Sequence, residues 1–560
     1  MNKNKHLLLW SSLGVLALLV TAAVQENFLK EWRQVQAGAR TESGSIEMRL
    51  RQIVVPALDV TDRCVSCHVG MAPGEPALSG SAVLAPHPPV VHDPGSYGCT
   101  VCHGGQGRAT DRADAHGDVP FWPQPMIPLK YAHAGCGSCH THLRVPNQAQ
   151  LQHGKHLVER YDCLACHRID GRGGTIRPGA AGGMEGPDLS RAGLAGYDAN
   201  WYEKHLKKFE ESTDGPWKIS FGPIDEAERA AIAEYLDSRA AAPQLVEAKS
   251  LFHSLGCRGC HKVSGVGGAD GPDLTLVGEK DPNRLDYTPV PGKPTFSNWL
   301  AEHFRNPPKV VPGSQMPILG LSESQIELLT FYMLSLRRSN FPEAYWPKDR
   351  IRAQRFGERE FATDGATLYS TFCAACHGPR GEGLRYPATV PFPSIANPDF
   401  LAVASDEFIA QTIRQGRPGR RMPAWHEAEG GLREEEIAEL VKYLRQLSGV
   451  AESSDTKPRH WVEADPQRGE QLFARYCAGC HGASGEGTQA PALNNPVLLA
   501  AATDTYLVET IGHGRRGTEM PAFREASPVH PALADADIES IVAFIRQWQP
   551  ANSKSTTTDR

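Results

Sequence analysis

The sequence has no cysteine to spare, no basic tract and, beyond residue 24, no apolar run long enough to cross a bilayer. The last absence excludes a polytopic membrane protein. Without a basic tract or an aromatic platform, and with a formal net charge of −6, nucleic acid is excluded as a partner. No nucleotide loop, molybdenum ligand set, quinol pocket or Ser/His/Asp arrangement can be defended. The composition, 40% hydrophobic and 22% charged, is that of a folded chain and not of a disordered or collagenous one. A length of 560 residues implies about three to five domains.

All 14 cysteines fall in one recurring element, Cys-x-x-Cys-His, and none is left over. The elements are Cys64/Cys67/His68, Cys99/Cys102/His103, Cys136/Cys139/His140, Cys163/Cys166/His167, Cys257/Cys260/His261, Cys373/Cys376/His377 and Cys477/Cys480/His481. A single Cys-x-x-Cys has competing readings as a zinc half-site, a redox pair or a disulfide corner. A zinc ribbon pairs two such elements at short spacing, and a thioredoxin motif needs one copy in a βαβ unit. Here a histidine follows every pair. Thioethers from residues i and i+3 hold a porphyrin edge against one helical turn, and the histidine at i+4 is directed to the iron. The spacing therefore predicts seven covalently attached c-type haems. Their propionates and iron cores add roughly −7 (oxidised) to −14 (reduced) to the charge, so the holoprotein is acidic.

The N-terminus reads Met1-Asn-Lys-Asn-Lys and then runs uncharged from Leu7 to Val24. The run is at the lower limit for a span and long for a cleaved signal, although Thr21-Ala22-Ala23 offers a cleavage site. An uncleaved anchor and a removed signal peptide both remain open. Either exports the rest of the chain, because Lys3 and Lys5 stay inside. In a bacterium this places the bulk in the periplasm, on a single inner-membrane anchor.

The first cysteines stand at positions 64, 99, 136, 163, 257, 373 and 477. The first three are too close for separate single-haem domains, so they must share one compact unit. The later segments repeat a pattern. A helical stretch such as Gly469–Tyr476 runs into the motif, and a Pro-containing loop follows, as at Gly186-Pro187-Asp188-Leu189, Gly271-Pro272-Asp273-Leu274 and Ala490-Pro491-Ala492-Leu493. Met-Pro comes next in three cases, and an amphipathic helix closes the segment. Ile437, Leu440, Val441, Leu444 and Leu447 mark one such helix; Ile538, Ile541, Val542 and Ile545 mark another. Ser322 with Gln325 and Asp225 with Glu228 read as capping boxes.

At these residues the chain resembles class I cytochrome c domains, in which the methionine of Met-Pro is the sixth iron ligand. The resemblance implies Met316, Met422 and Met520 as distal ligands opposite His261, His377 and His481. The bland alternative for a methionine is core filler, which suits Met333. The implied fold is mainly α: an N-terminal anchor helix or signal (1–25), a compact tri-haem unit with little regular structure (26–145), and four class I cytochrome c-like helical domains (146–240, 247–338, 356–449, 460–550). A disordered tail follows (551–560). Linkers are expected around 240–246, 339–355 and 450–459.

The Cys163 domain departs from the pattern, because Trp217-Lys218-Ile219-Ser220-Phe221 stands where Met-Pro belongs. Lys218, another residue such as Met184, His153 or His156, or an open position compete for its sixth site. The N-terminal unit has no Met-Pro but is rich in histidine. His87, His92 and His116 are favoured as distal ligands, with His133 in reserve and Met71 and Met126 behind it; the alternative for each is a surface histidine. Pro56–His68 and Tyr97–Asp111 resemble membrane-anchored multihaem cytochromes associated with bacterial quinol-oxidising, cytochrome b-type complexes.

Haems with two strong protein ligands exchange electrons and do not bind substrate, and His/Met ligation raises the potential above bis-His. The expected function is a wire from a membrane quinol-oxidising complex to soluble periplasmic carriers, with no catalytic residue of its own. Two alternatives stand beside it. One is an electron-donating subunit of a terminal oxidase or nitric oxide reductase; the other is a small-molecule reductase at the Cys163 haem.

Overall fold

A computed structural model of the chain describes residues 2–75, 78–79, 81–88, 90–174, 186–211, 223–338, 340–387, 391–452 and 455–550. The expected tail and the Trp217–Phe221 segment lie outside them. The described structure is mainly helical, with short two-stranded ribbons only. By contact it divides into two units, one of Met1–Leu143, Leu276–Pro312 and Thr330–Glu358, the other of Arg144–Thr275, Gly313–Leu329 and Arg359–Arg560.

The first helix, Asn2–Phe28, has 27 residues and is about 40 Å long at about 1.5 Å per residue. Its apolar stretch is fully exposed and is long enough to cross a membrane. Its polar side chains bond back to its own carbonyls, Ser11 Oγ to Leu8 O at 2.9 Å and Thr21 Oγ1 to Ala17 O at 2.8 Å. That lowers the cost of placing them in hydrocarbon. Lys30, just beyond the helix, pairs with Asp111 at 2.6 Å and with Glu26 at 2.7 Å.

The segment after it is built from 3₁₀ turns, helices of four to eight residues and a ribbon pairing Ile53–Val55 with Val60–Asp62. Its apolar clusters are small, one around Ala39, Val69 and Leu84, another around Ile53, Val55 and Val65. Polar side chains do much of the fastening. Gln36 donates to Arg49 O and to Ser66 O, inside the first motif, at 2.9 and 2.8 Å. Asp62, 1% exposed, accepts from Cys99 N, Thr100 N and Thr100 Oγ1, and so caps the second motif's turn from the strand before the first. A Cβ at Gly107 would lie 1.9 Å from the Asp62 carboxylate, which explains the glycine.

Four three-helix segments follow. Their long helices are Gln148–Arg160, Ala199–Glu211 and Glu226–Ser238; Pro243–Ser254, Phe296–Arg305 and Glu323–Ser335; Gly365–Phe372, Asp406–Gln415 and Glu434–Ser448; and Pro466–Tyr476, Asp504–His513 and Asp535–Arg546. In three of them a glycine lets the leading helix cross the closing one at backbone contact. A Cβ on Gly154, Gly365 or Gly469 would meet Ala231 O at 2.2 Å, Glu439 O at 2.5 Å or Ser540 O at 1.9 Å. The apolar positions read from the sequence are buried in the last two closing helices, except Leu447, which is half-buried, and Met333 is a core residue.

The last two segments share one core and meet through equivalent residues used reciprocally. Asn397 Nδ2 donates to Arg516 O at 2.9 Å, and Asn495 Nδ2 donates to Pro418 O at 3.0 Å. Phe408 stacks on its counterpart Tyr506 at 4.4 Å. Such reciprocity is the mark of a pseudo-two-fold relation between duplicated units.

Three local expectations change. Ser322 and Gln325 do exchange bonds, at 2.9 and 3.3 Å. Asp225 caps Glu228 N, but the Glu228 carboxylate accepts from Tyr161 and Arg160 instead of closing the box. Two expected linkers are ordered: Leu245 and Val246 are buried in the helix Pro243–Ser254. Residues 339–355 contain the helical turn Glu343–Tyr345 and the helix Lys348–Phe356. Tyr345 meets Tyr97 edge-on at 5.5 Å, and the Arg350 guanidinium lies 4.1 Å over Trp346. Ring contacts have overridden a loop-like composition.

Candidate electron-transfer sites

All seven motifs adopt the same turn. The histidine N–H donates to the first cysteine's carbonyl at 2.8–3.0 Å in every case, which puts both sulfurs and the imidazole on one side of a single turn. No cysteine forms a disulfide. Burial pushes most thiols up, to about 11 at Cys67, Cys139 and Cys163 and to about 12 at Cys102, Cys257, Cys373 and Cys477. Thiols held protonated are poor thiolate metal ligands or nucleophiles. Among the described residues no three His, Cys, Asp or Glu side chains converge on a metal-sized site.

Thirteen motif cysteines are half-buried, whereas Cys480 is exposed. A Cβ at Gly479 beside it would meet nothing within 4 Å. A thioether requires only that the sulfur reach the porphyrin rim, so an exposed Cys480 still suits attachment.

The residues fit haem c. In the four helical segments the motif histidine's Nδ1 bonds a proline carbonyl: His167 to Pro187 (2.9 Å), His261 to Pro272, His377 to Pro393 and His481 to Pro491 (2.8 Å each). That bond fixes the tautomer and leaves Nε2 for iron. Burial lowers the pKa of His261, His377 and His481, the proline carbonyl opposing it, so each ring is neutral as a ligand must be. Gly186 and Gly271 lie flat against their histidines; a Cβ would come within 2.3 Å of the His167 ring and 2.4 Å of the His261 ring.

Met422 and Met520 occupy equivalent loops packed on the shared core. Arg417 N and Arg515 N donate to their carbonyls at 2.9 and 3.0 Å, and Gly416 (φ 64°) and Gly514 (φ 65°) open the turns. In each turn a Cβ would strike the proline after the methionine at 2.5 Å. Met316 N–H donates to Ser314 Oγ at 3.2 Å, as Met520 N–H does to Thr518 Oγ1 at 3.2 Å.

In the N-terminal unit the structure brings the favoured histidines to the motif histidines. His87 faces His103 with ring centroids 6.1 Å apart, and His92 faces His140 at 6.2 Å. Two imidazoles on opposite sides of one iron have centroids about 6 Å apart, from two metal–nitrogen bonds of about 2 Å and two ring radii of about 1 Å. His68 is lowered first by burial and then by the charge of His116. His133 is exposed, and Met71 and Met126 are half-buried.

For the Cys163 site the sequence leaves Lys218, another residue such as Met184, His153 or His156, or an open position in competition. Met184 and Lys218 lie outside the described residues. His153 and His156 are exposed on the helix Gln148–Arg160, whose buried side is Leu151, Gly154, Leu157 and Val158. The imidazole that does face His167 is His205, at 6.4 Å between centroids. A sequence signal for it existed: Asn200-Trp201 with His205 parallels Asn298-Trp299 with His303.

Neighbouring motifs touch. The Cys64 and Cys99 thiols lie within hydrogen-bonding reach of each other, as do those of Cys260 and Cys376. A Cβ on Gly135 would lie 1.9 Å from Cys102 O, and one on Gly256 would lie 2.8 Å from Ala375.

Residues 151–240 and 245–337 match the cytochrome c family model, and 360–444 and 464–545 match that of cytochrome c oxidase, cbb3-type, subunit III. These four segments are cytochrome c domains, and the chain is a multidomain c-type cytochrome with covalently attached haem. Its relatives include the cbb3-type cytochrome c oxidase subunit FixP of Bradyrhizobium diazoefficiens, 34% identical over 28% of this chain and 53% of that one. The CcoP subunit of Rhodobacter capsulatus is 30% identical over 32% and 60%, and that of Helicobacter pylori strain 52 is 24% identical over 37% and 65%. The chain thus spans roughly half to two thirds of these curated relatives. Among solved structures, similarity to a Kuenenia stuttgartiensis reducing HAO-like protein complex is slight (19% identity, 33% of this chain and 96% of that one, TM-score 0.23).

Proposed function

We propose that the chain is an electron-transfer subunit of a membrane respiratory complex, carrying haem c at all seven motifs and delivering electrons through its C-terminal pair to a terminal-oxidase-type partner. When bound, each haem supplies a one-electron couple whose potential follows its axial ligands. One observation carries the electron-transfer reading: further imidazoles lie near motif histidines, His87 by His103 at 6.1 Å, His92 by His140 at 6.2 Å and His205 by His167 at 6.4 Å, and the three other helical segments each carry a Met-Pro, a ligand set that would exchange electrons. His87, His92 and His116 serve the N-terminal haems of His103, His140 and His68. Met316, Met422 and Met520 serve those of His261, His377 and His481.

The partner assignment rests on the match of 360–444 and 464–545 to an oxidase-subunit family and on relatives that are oxidase subunits by name, and it favours the oxidase reading over the quinol-oxidising complex expected from the N-terminal segment. Electrons enter the bis-His haems beside the membrane and leave from the His/Met domains. The apolar helix serves as anchor, the bulk lies in the periplasm, and soluble carriers exchange with the exposed domains. Purification from native membranes, with subunit identification and a haem-to-peptide ratio, tests this. A copurifying oxidase core and a ratio of seven are expected; a solitary chain, or a cytochrome b partner without an oxidase, would overturn the partner assignment.

A further inference from the structure

We propose that His205 is the sixth ligand of the haem attached at Cys163 and Cys166, making that haem bis-His and moving the low-to-high potential step to between the Cys163 and Cys257 motifs. This rests on the proposed haem attachment at that motif. The His167–His205 centroid distance, 6.4 Å, matches the 6.1 and 6.2 Å of the two histidine pairs in the N-terminal unit. His167 is oriented for the role, its Nδ1 engaged by Pro187 O at 2.9 Å. His205 is held from two sides. Three residues before it, buried Tyr202 donates to Asp237 on the closing helix at 2.9 Å, which anchors the helix Ala199–Glu211 to the domain. Four residues before it, Trp201 stacks on the imidazole at 4.8 Å and 8°, and Tyr197 stacks on Trp201 at 3.8 Å and 12°. Residues three and four apart share a helix face, so this aromatic column sets the ring's plane while the Tyr202 bond sets its height.

The next domain provides the internal comparison. His303 stacks on Trp299 in the same way, at 5.1 Å and 5°, but that domain has the Met-Pro of Met316, and the Cys163 domain has none. A histidine common to both has become the ligand where the methionine is missing. The consequence is an iron closed to small molecules, which removes the basis for a reductase at this site.

The test uses the full-length holoprotein. Mass spectrometry of the peptide holding Cys163 and Cys166 first establishes whether haem is attached; its absence would sink the attachment, and with it the ligand. Near-infrared magnetic circular dichroism of the oxidised wild type should show four bis-His and three His/Met haems. His205→Ala should turn one haem high-spin and let the reduced protein bind about one carbon monoxide per chain, where the wild type binds none. Added imidazole should restore the low-spin signal. His205→Met should keep the iron low-spin and raise the potential of one haem, and His303→Ala should change no coordination. The proposal is overturned if the wild type shows only three bis-His haems, if it binds carbon monoxide at one per chain, or if His205→Ala leaves the spectrum unchanged with haem attached.

Discussion

Replacing Glu360 with glutamine examines how the Cys257 motif is fastened to the domain of Cys373. Glu360 accepts from Lys249 at 2.5 Å and pairs with Arg258, which sits inside the Cys257 motif. The three side chains are 14%, 5% and 0% exposed. Desolvation pushes the Glu360 carboxyl up, but the charges of Lys249 and Arg258 outweigh it and hold the group well below the usual carboxylate range. Glutamine would leave two buried cations without their anion. Breaking a buried pair in this way costs about 3–5 kcal/mol, against at most about 1 kcal/mol for an exposed pair. The domains need not unfold together, so the assay is hydrogen exchange of residues 243–275 and 360–372, which reads local opening without a two-state transition. At pH 7 the variant should exchange these amides on the order of a hundredfold or more faster. The folded pKa is depressed, so the increment is present above the unfolded value of about 4.3 and is lost as pH falls toward the folded one. The gap between variant and wild type should therefore close in acid. Replacing Lys249 and Arg258 with methionine together with Glu360→Leu should recover most of the loss. A difference below tenfold at pH 7 would refute the reasoning, since the cluster would then be worth no more than a surface pair.

Gly271→Ala should displace His261, because its Cβ would lie 2.4 Å from the ring; overpacking of this kind costs about 1–3 kcal/mol, and one haem should lose its native axial spectrum while the others keep theirs. Met520→His should replace His/Met by bis-His ligation and lower one potential by on the order of 0.1 V within the ~0.8 V that axial ligands span, read by spectropotentiometry; an unchanged titration would show that Met520 is not a ligand. Tyr506→Ala should remove the Phe408 stack on the pseudo-two-fold contact, worth about 0.5–1.5 kcal/mol beyond its buried area, and should accelerate exchange at residues 397–400 and 495–498 more than within the closing helices.

What could be read from the sequence was what repeats. The seven Cys-x-x-Cys-His turns, the Met-Pro sites and the closing helices announce themselves because covalent spacing and helical periodicity are local properties. His87 and His92 could be singled out as candidates because the N-terminal unit is rich in histidine and has no Met-Pro. His205 was not singled out, because its meaning depends on which helix face meets His167, a tertiary fact; only the parallel with His303 hinted at it. Glu360 and Asp62 escaped for the same reason, each acting on a motif many residues away. The exposure of Cys480 was equally out of reach, since an identical motif spacing says nothing of what covers the turn. The linker at 339–355 misled because Phe341, Tyr345 and Trp346 sit among polar and proline residues, yet Tyr345 and Trp346 form ring contacts in the folded chain.

The direction of electron flow is the centre of this account, and a spectropotentiometric titration of the purified holoprotein, with bis-His and His/Met haems followed by their separate charge-transfer bands, tests it most directly. The bis-His bands should reduce at lower potential than every methionine-ligated band, so that electrons entering beside the membrane run downhill to the C-terminal pair. Methionine-ligated haems that titrate below the bis-His set would contradict it.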